Sequence, residues 1–450
     1  MTLNDMEYIL SNTTCIVSAF CLLFLNSIFS KHCRKLILRR STNSFFIDLV
    51  FSLFALRILL YYVLPSISRV IIGWDNQKQE NVQPFEVSIV YLVELISHLI
   101  YYYTFYWLCK RTKYDYSFVN QNSSSLKVIV ISILLLYACF LVHGTGIIVI
   151  PFCDSLWMIQ PFVMSTGSVA CFYFLAIGRK LSGKWVLVVS CIVIIIYILT
   201  GLASGIRGKL FWPVFWMLFC AYHINRKRIK MMFYLGGGIL LVLLIMQGGM
   251  TATRGAKEMN IVEMIQLIND SKNEGGKSLF SEIDYRFGAL TNYSVGFYRM
   301  VDRNDMAGMN PIINSLYSPL PRVFFEKKPV PCSADGDLYS MGMYKTVAEI
   351  TNIDTNMCEF STAAHAYWEL HLLGVVLFSI IPAFYVFCSI RLFRNFAILA
   401  PPLLCSVFKP WGYNDPKIWV SEIVLQLSQI IIPTLVLYFV YRKFFKSCSY

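Results

Sequence analysis

Uninterrupted apolar stretches, each close to the roughly 20 residues that a helix needs to cross a bilayer, recur from one end of this chain to the other. No other feature constrains the fold as tightly. Inside lipid, every backbone N–H and C=O must find a partner within the chain, and stretches of this length do so as helices. Hydrophobic residues make up 57% of 450 positions and charged residues 14%, too little polar surface to clothe a soluble globule of this length. The sequence therefore predicts an all-α polytopic membrane protein, built as one integral body in the lipid bilayer rather than as soluble domains on an anchor.

The pattern predicts about 11 transmembrane helices: 9–29, 44–64, 87–108, 128–150, 156–177, 185–202, 210–224, 231–246, 367–390, 396–412 and 419–441. Pro213 in the seventh, and Pro401 and Pro402 in the tenth, open those two to tilting, breaking or re-entry. Residues 1–247 then hold the first eight helices, 248–365 form one large external loop, and 366–450 hold the last three.

The formal charge of +13 follows the same topology. Basic clusters stand after every second span, at 31–40, 110–127, 179–184, 226–230, 391–394 and 442–446, and together hold 21 of the 39 Lys and Arg. The short loops of the other side hold six: Arg69, Lys78, Arg207, Lys209, Lys409 and Lys417. Short loops rich in Lys and Arg mark the cytoplasmic face. The excess is thus explained without a nucleic-acid partner. The first span follows Asp5 and Glu7 and precedes its basic cluster, the reverse of a secretory signal. It is expected to remain in the chain, with the N-terminus outside and the C-terminus in the cytoplasm.

Fourteen cysteines are scattered, mostly inside spans, with no spacing that would hold a metal, so neither metal nor cofactor is expected. Cys332 and Cys358 both fall in the external loop, where they could pair in an oxidising compartment or stay free. That loop reads as mostly helical. Ile261, Met264, Ile265 and Ile268 recur at helical spacing, as do Leu279, Ile283 and Phe287. Residues 310–331, rich in proline and aromatics, read as an extended arm.

Three constellations could carry chemistry. Arg207, Arg254, Arg286 and Arg322 stand at external span ends or in the loop. Their planar, permanently charged guanidinium groups suit phosphate, though headgroup anchoring or a loop salt bridge would use the same residues. His365 and Glu369 lie one helical turn apart at the outer mouth of a span. They place a base beside a carboxylate, either to accept a proton from a hydroxyl or to bond the loop; His371 falls on another face and reads as structural. Arg57 and Glu94 sit at matching depth in neighbouring spans, as an ion pair or as the lining of a polar path. His98, one turn from Glu94, and His143 are candidates for the same cavity.

With these residues in view, the chain resembles the O-antigen polymerase family of repeat-unit polymerases. The resemblance rests on the many spans, the single long loop late in the chain, PLPRVFFEKKP at 319–329 and AAHAYWELHLLG at 363–374. Pro321, Arg322, Phe325, Lys328 and Pro329 match the family's proline-arginine-aromatic-lysine-proline segment. SGIRG at 204–208 and the His365 segment are similar to elements of the related O-antigen ligases. None of the four arginines is followed by glycine eleven positions on, a spacing by which some polymerases are described.

The resemblance implies a metal-independent glycosyltransferase, similar in fold to the GT-C membrane type, in the bacterial inner membrane. Its partners would be undecaprenyl-pyrophosphate-linked glycans, with a chain-length regulator and a flippase of the same pathway. Arg207, Arg254, Arg286, Arg322 and Lys328 would hold pyrophosphate, Arg57 and Glu94 would line the substrate path, and His365 or Glu369 would orient or deprotonate the acceptor. Two alternatives stay open: an O-antigen ligase using the same donor with a lipid A core acceptor, and a flippase that moves the lipid-linked unit across the membrane.

Overall fold

The structure, a computed structural model, describes residues 3–38, 45–73, 82–111, 124–144, 148–151, 184–203, 287–304 and 361–395, with a few isolated positions besides. Every regular element among them is helical. The helices are α1 (Leu3–Leu38), α2 (Phe45–Ile58), α3 (Leu64–Ile72), α4 (Pro84–Arg111), α5 (Ser124–His143), α6 (Lys184–Ala203), α7 (Ala289–Asp302) and α8 (Thr362–Asn395), with a π-helical turn Leu59–Val63 joining α2 to α3.

The chain divides into two compact units. One contains α5 and α6, which pack on each other. The other contains α1 to α4, α7 and α8 and holds the candidate site.

Within that second unit, four helical stretches are long and apolar enough to cross a membrane: 6–36, 50–71, 84–111 and 363–388. Their outward faces carry apolar stripes at helical spacing, Leu10, Val17 and Phe24 on α1 and Leu92, Ile96, Leu99 and Tyr103 on α4, all exposed. A stripe of this kind on a helix whose other face is already packed is what lipid contact requires. The described part is thus that of a helical membrane protein.

Polar side chains tie the inner faces together. Asn26 of α1 donates to the Phe51 carbonyl of α2 (3.0 Å) and accepts from the Tyr102 hydroxyl of α4 (2.8 Å). The Tyr102 ring is stacked between Phe29 and Phe51, each at 5.6 Å. Below this layer, Cys15, Ala19 and Leu22 of α1 meet Ile58, Tyr62, Val87, Val90 and Tyr91, together with Leu290 and Val295 of α7.

The second predicted span, 44–64, proves longer. Pro65 has no N–H to give the preceding turn, and the helix continues by widening rather than stopping, with the Leu64 N–H reaching back to the Leu59 carbonyl. The Tyr62 carbonyl accepts the Ser66 hydroxyl (2.6 Å) and the Tyr91 hydroxyl (3.0 Å), so hydroxyls satisfy backbone that the widened turn disturbs. Arg69, assigned from the sequence to a short external loop, therefore lies in helix α3 and is fully buried.

The ninth predicted span, 367–390, differs more. Leu370 (φ −136°, ψ 23°) and His371 (φ 55°, ψ −146°) leave helical geometry and break α8 into Thr362–Glu369 and a long helix from Leu372. Ser361 bonds Glu94, and Ser379 bonds Ser97 at 2.8 Å. Glu94 and Ser97 lie within one turn of α4, whereas a straight helix from Ser361 to Ser379 would be about 27 Å long. The chain must fold sharply at the break. Gly374 permits it: a Cβ there would stand 1.9 Å from the Ala366 carbonyl oxygen.

Part of the predicted external loop belongs to this same packing. Helix α7 buries Leu290, Tyr293, Phe297 and Met300. Arg299 of α7 holds Glu86 of α4 through two bonds of 2.6 Å.

Candidate functional site

The site grows from helix periodicity on α4. Glu94 and His98 are four residues apart, so both face inward on one stripe with Tyr91, Tyr101 and Tyr102. Glu94 is 2% exposed and His98 0%, a depth at which a carboxylate needs several donors to persist. It has them. Ser361 donates its hydroxyl to Oε1, and His98 Nδ1, bonded to the Glu94 backbone carbonyl at 2.9 Å, stands 3.2 Å from Oε2. Arg57 of α2, also buried, acts electrostatically on the same group, which in turn acts on the buried Tyr62 of the π turn.

Ser361 is the junction of three helices. Its Oγ accepts the Ala364 N–H (3.0 Å), capping the first turn of α8, and its carbonyl accepts the His365 N–H (3.1 Å). Its own N–H donates to Ser294 Oγ of α7 (2.8 Å). The cap, the acid on α4 and the loop helix are thus held by one residue.

One turn further, His365 Nδ1 stands 3.2 Å from Glu369 Oε1. The i,i+4 spacing brings them together, and the fold encloses them at 2% and 0% exposure. Phe297 of α7 (5.6 Å) and Trp368 (5.4 Å) pack edge-on against the imidazole. Neither oxygen of Glu369 has a well-aligned hydrogen-bond donor among the described residues. Nearby, burial holds the Tyr298 phenol well above its ordinary range, with Glu94 adding to the shift, so it remains a neutral hydroxyl at physiological pH.

Of the residues singled out from sequence, Arg57, Glu94 and His98 fall in one buried cluster with Ser361, and the His365–Glu369 pair begins one turn beyond Ser361. His143 belongs to the other compact unit, where it accepts the Ile150 N–H (3.0 Å). His371 is at the helix break, bonded to the Tyr367 hydroxyl at 2.7 Å. Arg207, Arg254, Arg286, Arg322, Lys328, Cys332 and Cys358 lie outside the described residues.

Sequence reading missed Ser361, Tyr62 and Arg69. Ser361 had a signal, a cap-forming residue just ahead of an apolar helical run. Arg69 Nη2 points at Asn292 Oδ1 (3.1 Å), Thr291 Oγ1 (3.2 Å) and the Gly288 carbonyl (3.3 Å), partners more than 200 positions away that no local pattern announces.

Chemically, the arrangement sets an imidazole beside a carboxyl group, two groups able to exchange a proton, next to a second acid held by Ser361. Among the described residues no group of His, Cys, Asp and Glu could hold a metal. No family model, no curated protein and no solved structure matches the chain.

Proposed function

We propose that this chain is a membrane glycosyltransferase of the O-antigen polymerase type, joining oligosaccharide repeat units carried on undecaprenyl pyrophosphate at the periplasmic face of a bacterial inner membrane. The observation that carries the reading is the His365–Glu369 pair, 3.2 Å apart and enclosed in a helical membrane bundle. An imidazole and a carboxyl group this close could supply the proton acceptor that an attacking sugar hydroxyl demands.

In this reaction the acceptor oxygen forms a bond to the anomeric carbon of the donor glycan. The bond from that carbon to the pyrophosphate oxygen breaks, and the lipid pyrophosphate departs with the electron pair. The hydroxyl proton passes to His365 or to Glu369. Arg207, Arg254, Arg286, Arg322 and Lys328 supply cations for the pyrophosphates, whose developing charge they stabilise. The buried polar side chain of Arg57 supports a path for the glycan.

The test is reconstitution of the purified chain in liposomes with lipid-linked repeat units. A ladder of products longer than one unit, lost in His365→Ala and Glu369→Ala variants that insert normally, supports the reading. Absence of any product longer than one unit overturns it.

One observation favours a second reading, a flippase for the same lipid-linked unit. Helix α8 is discontinuous, and broken helices often mark binding sites in transporters. In the same liposomes, movement of the units across the bilayer without elongation would select it.

A further inference from the structure

We infer that Glu94, acting through Ser361, is a positioning residue that fixes the helix carrying His365 and Glu369. The inference rests on the function proposed above and deepens it, by moving Glu94 from the substrate path to the support of the base.

The break at Leu370–His371 isolates Thr362–Glu369 from the rest of α8. A helix of two turns has no stability of its own, and its C-terminal end sits on a non-helical pivot. Its geometry therefore depends on what holds the other end. That end is Ser361, which caps the helix at Ala364 and at the same time donates to Glu94. Side-chain packing of Phe297 and Trp368 on His365 adds contact area but little direction, because ring contacts tolerate sliding. Two bonds at Ser361 are directional, its N–H to Ser294 Oγ (2.8 Å) and its hydroxyl to Glu94, and only the second is made by the side chain. His98 of the same helix stands against the Glu94 carboxyl (3.2 Å), and the Ser97–Ser379 bond (2.8 Å) ties the far side of the break to the same stretch of α4. One turn of α4 thus registers both halves of α8, and the pair at 365 and 369 inherits that register.

A capping role alone and a positioning role predict different behaviour for Ser361→Asp. Aspartate is as good a cap as serine, so a cap alone would be retained. Beside Glu94, however, it sets two carboxylates against each other in a buried site. Adding Glu94→Gln restores a bond, now donated by the glutamine amide to the aspartate.

The experiment has two arms on the full chain in liposomes. Hydrogen–deuterium exchange of the peptide spanning 361–370 needs no substrate. It is expected to rise at least tenfold in Ser361→Asp and return to the parent level in the Glu94→Gln/Ser361→Asp double variant, with Ser361→Thr unchanged. In the elongation assay, kcat is expected to fall at least tenfold in Ser361→Asp with KM within twofold, and to recover in the double variant and in Ser361→Thr. Exchange unaffected by Ser361→Asp, or a double variant no better than the single, overturns the inference. Exchange that follows the prediction while kcat does not change overturns the positioning role. If the parent protein makes no polymer, the proposed function fails, and the exchange arm still decides whether Glu94 holds this helix.

Discussion

Arg299 grips Glu86 with both forks of its guanidinium: Nε and Nη2 each stand 2.6 Å from a different carboxylate oxygen, across 213 positions of sequence. The pair docks α7 on the first turn of α4, where Glu86 also accepts the Gln83 N–H at 2.8 Å. Its side chains keep 20% and 27% of their exposure, so the pair is partly screened by water. A double-mutant cycle with Arg299→Ala and Glu86→Ala should return a coupling of about 1 kcal/mol, read from thermal unfolding in detergent. Arg299→Lys should recover less than half, because an ammonium cannot reproduce the fork.

The fold-back of α8 makes two opposed predictions. Gly374→Ala places a methyl against the Ala366 carbonyl, which is backbone and cannot swing away, and should cost about 3 kcal/mol or abolish insertion. His371 holds a positive φ of 55° at no glycine. His371→Gly should therefore be more stable than His371→Ala by about 1 kcal/mol, since both lose the bond to Tyr367 and only glycine relieves the backbone. Unfolding midpoints of the three variants decide it.

Asn26 serves two neighbours at once, so its loss should be felt twice. Asn26→Ala leaves the Tyr102 hydroxyl without its acceptor and the Phe51 carbonyl without its side-chain donor, with an expected cost of about 2–4 kcal/mol. A loss below about 0.5 kcal/mol would mean that α1, α2 and α4 are not joined at this layer.

The lipid-facing stripe of α4 can be read directly. Cysteines placed at Leu92, Ile96 and Leu99, all exposed, should react with a bilayer-soluble thiol reagent in membranes. Cysteines at Val90 and Tyr101, which are buried, should stay at least tenfold slower. Equal rates at both sets would show that this face of α4 is not turned to lipid.

What sequence could supply was local. Apolar runs and their flanking charges announced helices over 84–111 and 184–203 within three residues of their ends, and the existence but not the ends of those over 3–38 and 124–143, because burial in lipid acts on average composition. The i,i+4 geometry that joins His365 to Glu369, and Glu94 to His98, is fixed by helical spacing and needs no knowledge of the fold. Tertiary structure alone decided the rest. A hydropathy run over 363–388 cannot register that two residues, Leu370 and His371, turn the chain back. Nor can spacing foresee that Ser361 finds Glu94, or that Arg69 points at Asn292. Those contacts join residues 267 and 223 positions apart, and only the packing of whole helices, settled by shape and by the need of every buried polar group for a partner, selects them.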